Sequence, residues 1–122
     1  VTGGAGFALV GGARGWRVPV RGRQTLADMA LELRCDVILV VGMRLGCINH
    51  ALLTAEAIRR DGLRLAGWVA NQPGERMSCH EENLDTLREL LGAPLLGEVP
   101  HLAPFDARKA AESLSIVELL GK

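Results

Sequence analysis

Apolar residues in this 122-residue chain fall into short unbroken runs, set between longer stretches whose apolar positions recur at helical spacing. The strongest run is Val37-Ile38-Leu39-Val40-Val41, rich in β-branched side chains and ended by Gly42. A run of that length and composition reads as a strand buried on both faces, and predicts the central strand of a sheet. Gly6–Val10, Leu63–Ala70 and a segment within Ala93–Pro100 read as further strands. Helical spacing appears over Leu26–Arg34, where Leu26, Met29, Ala30 and Leu33 share one face, and over Ala51–Arg60. It appears again over His80–Leu91, with Leu84, Leu87, Leu90 and Leu91 facing inward, and around Ser113–Leu120. Trp16–Arg23 reads as extended, since Pro19 blocks a helix there. Strands and helices thus alternate from one end to the other. That order predicts an α/β fold: one domain over residues 1–122, its mostly parallel sheet flanked by helices on both faces.

The punctuation supports these bounds. Thr25 is placed to cap the helix from Leu26, with Asp28 completing a capping-box variant. Gly62 is a C′ glycine after Arg59 and Arg60, two cations suited to the negative end of a helix dipole. Gly92 stops the helix from His80.

Composition excludes several functions. The chain is 48% hydrophobic, which suits a packed core, and its 14 basic and 14 acidic residues leave a formal net charge of zero. Nothing there draws it to nucleic acid or to an anionic membrane. Its apolar runs fall far short of the roughly 18 residues that span a bilayer. Cys35, Cys47 and Cys79 match neither a zinc spacing nor a paired disulfide framework, so a reducing, cytoplasmic setting is expected. The chain begins at Val1 without methionine, with a strand-like segment almost at once, which predicts further material upstream.

The candidate chemistry gathers where strands end. Ligands of open α/β sheets bind at the carboxyl ends of the strands, which singles out the loop Gly42–Asn49 before the helix from Ala51. Its glycines allow close backbone approach, and free N–H groups at a helix start favour a carboxylate or phosphate. Asn49 serves either as a ligand contact or as the cap of its own helix. Asn71 offers a donor and an acceptor that could read a base edge, or it forms an Asx turn before Pro73. The turn Gly11-Gly12-Ala13-Arg14-Gly15-Trp16 follows a strand; it brings N–H groups to phosphate oxygens or is simply a flexible turn. It is not a Walker A loop, because GxxxxGK followed by Ser or Thr occurs nowhere in the chain. His50, His80 and His101 have no metal spacing. Cys79 beside His80 suggests a nucleophile pair, but neighbours on a helix point apart and no third orienting group is visible, which argues against it. Glu98 is unusual in an apolar strand. Cys47, at a helix start, is either an activated or a buried, inert thiol.

Three blocks carry a resemblance. Val37–Ala51, with its Leu45-Gly46-Cys47-Ile48-Asn49-His50 core, then Leu65-Ala66-Gly67-Trp68-Val69-Ala70-Asn71, then Pro94-Leu95-Leu96-Gly97-Glu98-Val99-Pro100, closely resemble dethiobiotin synthase in order and spacing. Gly11–Trp16 with Val18-Pro19 resembles the glycine-rich turn of that family. The resemblance runs from about Ala8 to Pro100 and identifies the chain with the C-terminal portion of the family. It implies a P-loop NTPase-like fold, here partial, and a homodimer. It also implies closure of the ureido ring of dethiobiotin from 7,8-diaminopelargonic acid and CO2, with ATP and Mg2+.

Residue by residue, the resemblance implies that Gly46, Cys47, Ile48 and Asn49 hold the substrate carboxylate at the dimer interface. It implies that Asn71, with Gln72 beside it, and Val99, Pro100, His101 and Leu102 form the adenine pocket, and that Gly12, Ala13 and Gly15 lie beside the phosphates and the diamine. Two departures follow. Gly11 stands where the family has a magnesium-binding glutamate, and Arg14 replaces a glycine. The Walker A loop, its lysine and a metal-binding aspartate belong to the family's other half. No residue here is therefore expected to be catalytic or to bind metal, and the chain alone is expected to be inactive. An alternative is a non-catalytic dimerisation or nucleotide-binding remnant that partners a separate P-loop chain. A third reading, an amidotransferase-like or partitioning ATPase, fits the Leu45–His50 block poorly.

Overall fold

The structure, a computed structural model, describes residues 15–101. The strand expected at Gly6–Val10, the turn residues Gly11, Gly12, Ala13 and Arg14, Leu102 and the helix expected at Ser113–Leu120 lie outside the described residues. The elements are β1 (Pro19–Arg21), β2 (Gln24–Thr25), α1 (Leu26–Leu33), β3 (Val37–Gly42), α2 (Cys47–Arg60), β4 (Leu65–Asn71), α3 (His80–Leu90) and β5 (Leu95–Val99). β3, β4 and β5 form a parallel sheet in that order. Each crossover carries one helix, as parallel pairing requires. Residues Trp16–Arg23, expected only to be extended, in fact enter an antiparallel hairpin of β1 and β2, turned at Gly22 with φ +57°.

β4 holds the centre, not β3. Its side chains are buried from Leu65 to Ala70, whereas β3 alternates. Val37, Leu39 and Val41 face the core, while Ile38 and Val40 point away from it, Val40 being 60% exposed. The expectation that β3 is covered on both faces is therefore corrected. An uninterrupted apolar run cannot distinguish a central strand from one at the sheet's edge, and among the described residues only β4 pairs with β3.

The core lies between the sheet and two helices. α2 contributes Cys47, Ala51, Ala55 and Ile58, and α3 contributes Leu84, Leu87 and Leu91, packed on Val41, Leu65, Trp68 and Ala70. The small residues Ala51 and Ala55 let α2 approach Trp68, which has no exposed surface. Leu90, expected to face inward, is exposed: Leu84, Leu87 and Leu91 already make the inward stripe, and Leu90 falls to its side. Arg59, in the last turn of α2, donates from Nη2 to the Leu91 carbonyl at 2.6 Å, so a cation meets the negative end of α3. Gly67 on β4 leaves room for Leu96, whose side-chain carbons would lie 2.9–3.1 Å from any added Cβ.

The capping at Thr25 is as expected. The Thr25 hydroxyl accepts from the Asp28 N–H at 3.3 Å, and Asp28 accepts from the Thr25 N–H at 2.8 Å. Yet α1 buries only Ala27; Met29 and Leu33 remain exposed. Their stripe lines a cavity of about 510 Å³ that runs along β3 to Cys47 and His50. No described helix is long and apolar enough to cross a membrane.

Trp16 ties the hairpin to α2. Its Nε1 donates to Asp61 at 2.7 Å, and Arg17 pairs with the same carboxylate at 2.9 Å. The Trp16 hydrogen bond, opposed by desolvation and reinforced by Arg17, lowers the Asp61 pKa below its usual value. A lowered folded pKa contributes stability above the unfolded value of about 3.9 and loses it as pH falls through the folded value. Asp61→Ala is therefore expected to cost about 1–2 kcal/mol at neutral pH. In thermal melts that difference should shrink below pH 4.

Candidate ligand site at the carboxyl ends of the strands

The last rung of the sheet brings the candidate segments side by side. Gly42 pairs with Asn71, and Asn71 with Val99. Beyond the rung, the Met43 N–H donates to the Asn71 carbonyl at 2.8 Å and the Gln72 N–H to the Val99 carbonyl at 2.9 Å. Three loops separated by some thirty residues each thus leave the sheet from one place.

On one side the chain turns through Arg44-Leu45-Gly46 into α2. The helix starts at Cys47, four residues earlier than expected, because Gly46 adopts φ +89° and ends the turn tightly. Asn49 is consequently inside the first turn and does not cap the helix; no side chain caps it. The Cys47 N–H donates to the Arg44 carbonyl at 3.0 Å. The N–H groups of Ile48 and Asn49 find no backbone acceptor among the described residues. These two donors lie at the positive end of a 14-residue helix, where the dipole favours negative charge. Gly46 and Asn49 are exposed there, Ile48 is half-buried, and Cys47 is buried. Leu45, just before them, is 97% exposed.

On the other side lies a cavity of about 440 Å³, lined by Met43, Ala70, Gln72, Arg76, His80, Glu98, Val99, Pro100 and His101. Four of the residues expected in a nucleotide pocket therefore share one wall system. Asn71 is half-buried on the rung itself and does not line the cavity, whereas Ala70 and Gln72 do, as strand alternation dictates. The Asx turn weighed for Asn71 needs the N–H of residue 73, and Pro73 has none. Gln72 is fixed by its neighbours: Nε2 donates to the Glu75 carbonyl at 2.9 Å and toward the Met43 carbonyl at 3.4 Å. With the amide so oriented, its Oε1 is buried without a partner.

Sequence reasoning missed the pairing of His80 with Glu98. His80 opens α3, is buried, and places Nε2 3.2 Å from Glu98 Oε1. The signal was present as a carboxylate in an otherwise apolar strand, but nothing in the spacing names its partner. Cys79, beside His80, is exposed and takes no part. No group of three or more His, Cys, Asp or Glu among the described residues could hold a metal ion.

The family described as an AAA domain matches residues 3–109. The chain belongs to this family. Among curated relatives it is 55% identical over 116 residues to the ATP-dependent dethiobiotin synthetase BioD of Cellvibrio japonicus, covering 95% of this chain and 51% of that protein. The proteins of the same name in Pseudomonas paraeruginosa and Marinobacter nauticus are 63% and 52% identical. Those alignments cover 88% and 91% of this chain, and 46% and 48% of the relatives. The resemblance to dethiobiotin synthetases holds along nearly the whole chain, which spans about half the length of the curated relatives it matches. The parallel sheet with flanking helices agrees with the expected P-loop NTPase-like class.

Proposed function

We propose that this chain is the C-terminal portion of an ATP-dependent dethiobiotin synthetase, supplying the substrate-carboxylate loop and the nucleobase pocket. The supporting observation is the shared rung Gly42–Asn71–Val99, from which both the loop leading to the N–H groups of Ile48 and Asn49 and the segments Gln72 and Val99–His101 that wall the cavity leave the sheet. The substrate is 7,8-diaminopelargonic acid. Its carboxylate lies against Gly46–Asn49, where the helix dipole and two unpaired donors balance its charge. The base of ATP lies in the cavity, with Gln72 at one wall, Val99, Pro100 and His101 at the other, and Asn71 on the rung at its edge. Gly12, Ala13 and Leu102 belong to the nucleotide site by resemblance.

The reaction is ring closure. One amine takes up CO2 as a carbamate, ATP phosphorylates the carbamate oxygen, and the second amine attacks the carbonyl carbon and expels phosphate. This chain binds and orients both ends of that assembly. Mg2+ belongs to the reaction by resemblance, and among the described residues no group of three or more His, Cys, Asp or Glu gathers to hold it. The phosphate-binding lysine motif is absent from the 122 residues, so turnover is expected to need the P-loop portion. We place the assembled protein in the cytoplasm as a homodimer.

A second reading, in which the P-loop portion is a separate chain, rests on the outer edge of β3. No described strand pairs with it, and the apolar 510 Å³ cavity beside it has room for one.

The binding roles are tested by titrating the 15N-labelled chain. ATP is expected to shift the amides of Ala70–Gln72, Val99 and His101, and the diamino acid those of Gly46–His50. Overlapping shifts, or shifts confined to other segments, would count against the assignment.

A further inference from the structure

We propose that His80 is a positioning residue: through Glu98 it holds the Val99–His101 wall of the cavity at the distance a ligand needs. This rests on the nucleotide reading only for the ligand's identity. The geometry stands apart from it. His80 is the first residue of α3, its side chain 7% exposed, and Glu98 lies on β5 immediately before the wall, 45% exposed. Their 3.2 Å contact is the one side-chain hydrogen bond among the described residues that joins the start of α3 to the end of β5. Between β4 and β5 the last contact at the mouth is backbone, the Gln72 N–H to the Val99 carbonyl at 2.9 Å.

The chemistry fixes the imidazole. A carboxylate only accepts, so Nε2 carries the proton that Glu98 receives. Nδ1 is buried and has no partner. The ring therefore has a single polar anchor, and losing Glu98 would leave a buried histidine without a polar side-chain contact. A hydrogen bond to a charged group is stronger than a neutral one, and this one spans two elements that the backbone connects only through α3 and the following turn. Arg76 and His101 line the same cavity, but Arg76 pairs with Glu81 on α3 and leaves Glu98 to His80.

The test uses the whole chain and compares amide hydrogen exchange at two ends of the β4–β5 pair. The Gln72 amide reports the mouth; the Trp68 amide, bonded to the Pro94 carbonyl at 3.0 Å, reports the far end. His80→Leu is expected to speed exchange at Gln72 about tenfold, the scale of one charge-assisted hydrogen bond, and to leave Trp68 nearly unchanged. ATP affinity should fall by a similar factor, and His80→Gln, which restores a side-chain donor, should recover both. Because His80 is buried, Glu98→Ala provides a second variant that leaves the core intact, with the same local effect expected. Equal acceleration at Gln72 and Trp68, or none at either, would overturn the positioning role. If the Gln72 amide responds as expected but the unaltered chain binds no ATP, the positioning role stands and the nucleotide reading falls.

Discussion

Trp68→Ala is expected to cost about 3–5 kcal/mol and to leave the chain largely unfolded at 37 °C. Trp68 sits at the middle of the central strand, with no exposed surface, and is the largest of the fully buried side chains among the described residues. It shares one buried cluster with Ala51 and Ala55 of α2 and with Leu84, Leu87 and Leu91 of the α3 segment. Truncation leaves a void that α2 cannot close, since its ends are held by the tight turn at Gly46 and by the contact of Arg59 with Leu91. Domain stabilities run at about 5–15 kcal/mol, so this single change removes a large share. Trp68→Phe separates packing from polarity. The indole Nε1 is buried without a hydrogen-bond partner, so phenylalanine removes an uncompensated donor while keeping most of the volume. It should lose well under half of what alanine loses. Urea denaturation of the three proteins checks this, and equal losses for both variants would contradict it.

Gly46→Val is expected to abolish binding of the diamino acid while leaving the fold in place. At φ +89° a β-branched residue is strained by about 1–3 kcal/mol, although an added Cβ would meet nothing within 4 Å. The penalty is conformational rather than steric, and the loop can relieve it only by changing how the chain enters α2. That moves the Ile48 and Asn49 N–H groups off their shared direction. Affinity for the carboxylate should fall roughly tenfold or more, which 1.4 kcal/mol suffices to produce. ATP binding should be much less affected, because Gly46 does not line the second cavity. Asn tolerates a left-handed backbone better than Val, so Gly46→Asn should be milder. Isothermal titration with each ligand in turn distinguishes these outcomes.

The features that were legible in the sequence are local. The capping pair Thr25–Asp28, the C′ glycine Gly62 and, from α1 to β5, the alternation of helix and strand all depend on neighbours within a few residues, and each appears in the structure. What escaped depends on distant partners. The run Val37–Val41 looks the same whether or not a strand lies on each side, so its place at the edge of the described sheet was invisible. The start of α2 was misjudged because the turn closes through a left-handed glycine and not through Asn49. Leu90 and Leu91 are indistinguishable by composition, and only the way α3 joins the core buries Leu91 and leaves Leu90 exposed. At the site, the fragments around Asn49, Asn71 and Val99 were recognisable one by one. Their meeting on a single rung is a property of sheet order, and the His80–Glu98 contact spans 18 residues of chain with no spacing rule to signal it.

The most direct measurement is dethiobiotin formation from 7,8-diaminopelargonic acid, CO2 and ATP with Mg2+. It is made with the 122-residue chain alone and with the chain joined behind the P-loop portion of a relative such as the Cellvibrio japonicus synthetase. The joined protein is tested both with Gly11 and as Gly11→Glu. The expected result is no product from the chain alone and ring closure by the joined Gly11→Glu protein. Turnover by the chain alone would contradict the account, as would a folded joined protein that binds both ligands and makes no product.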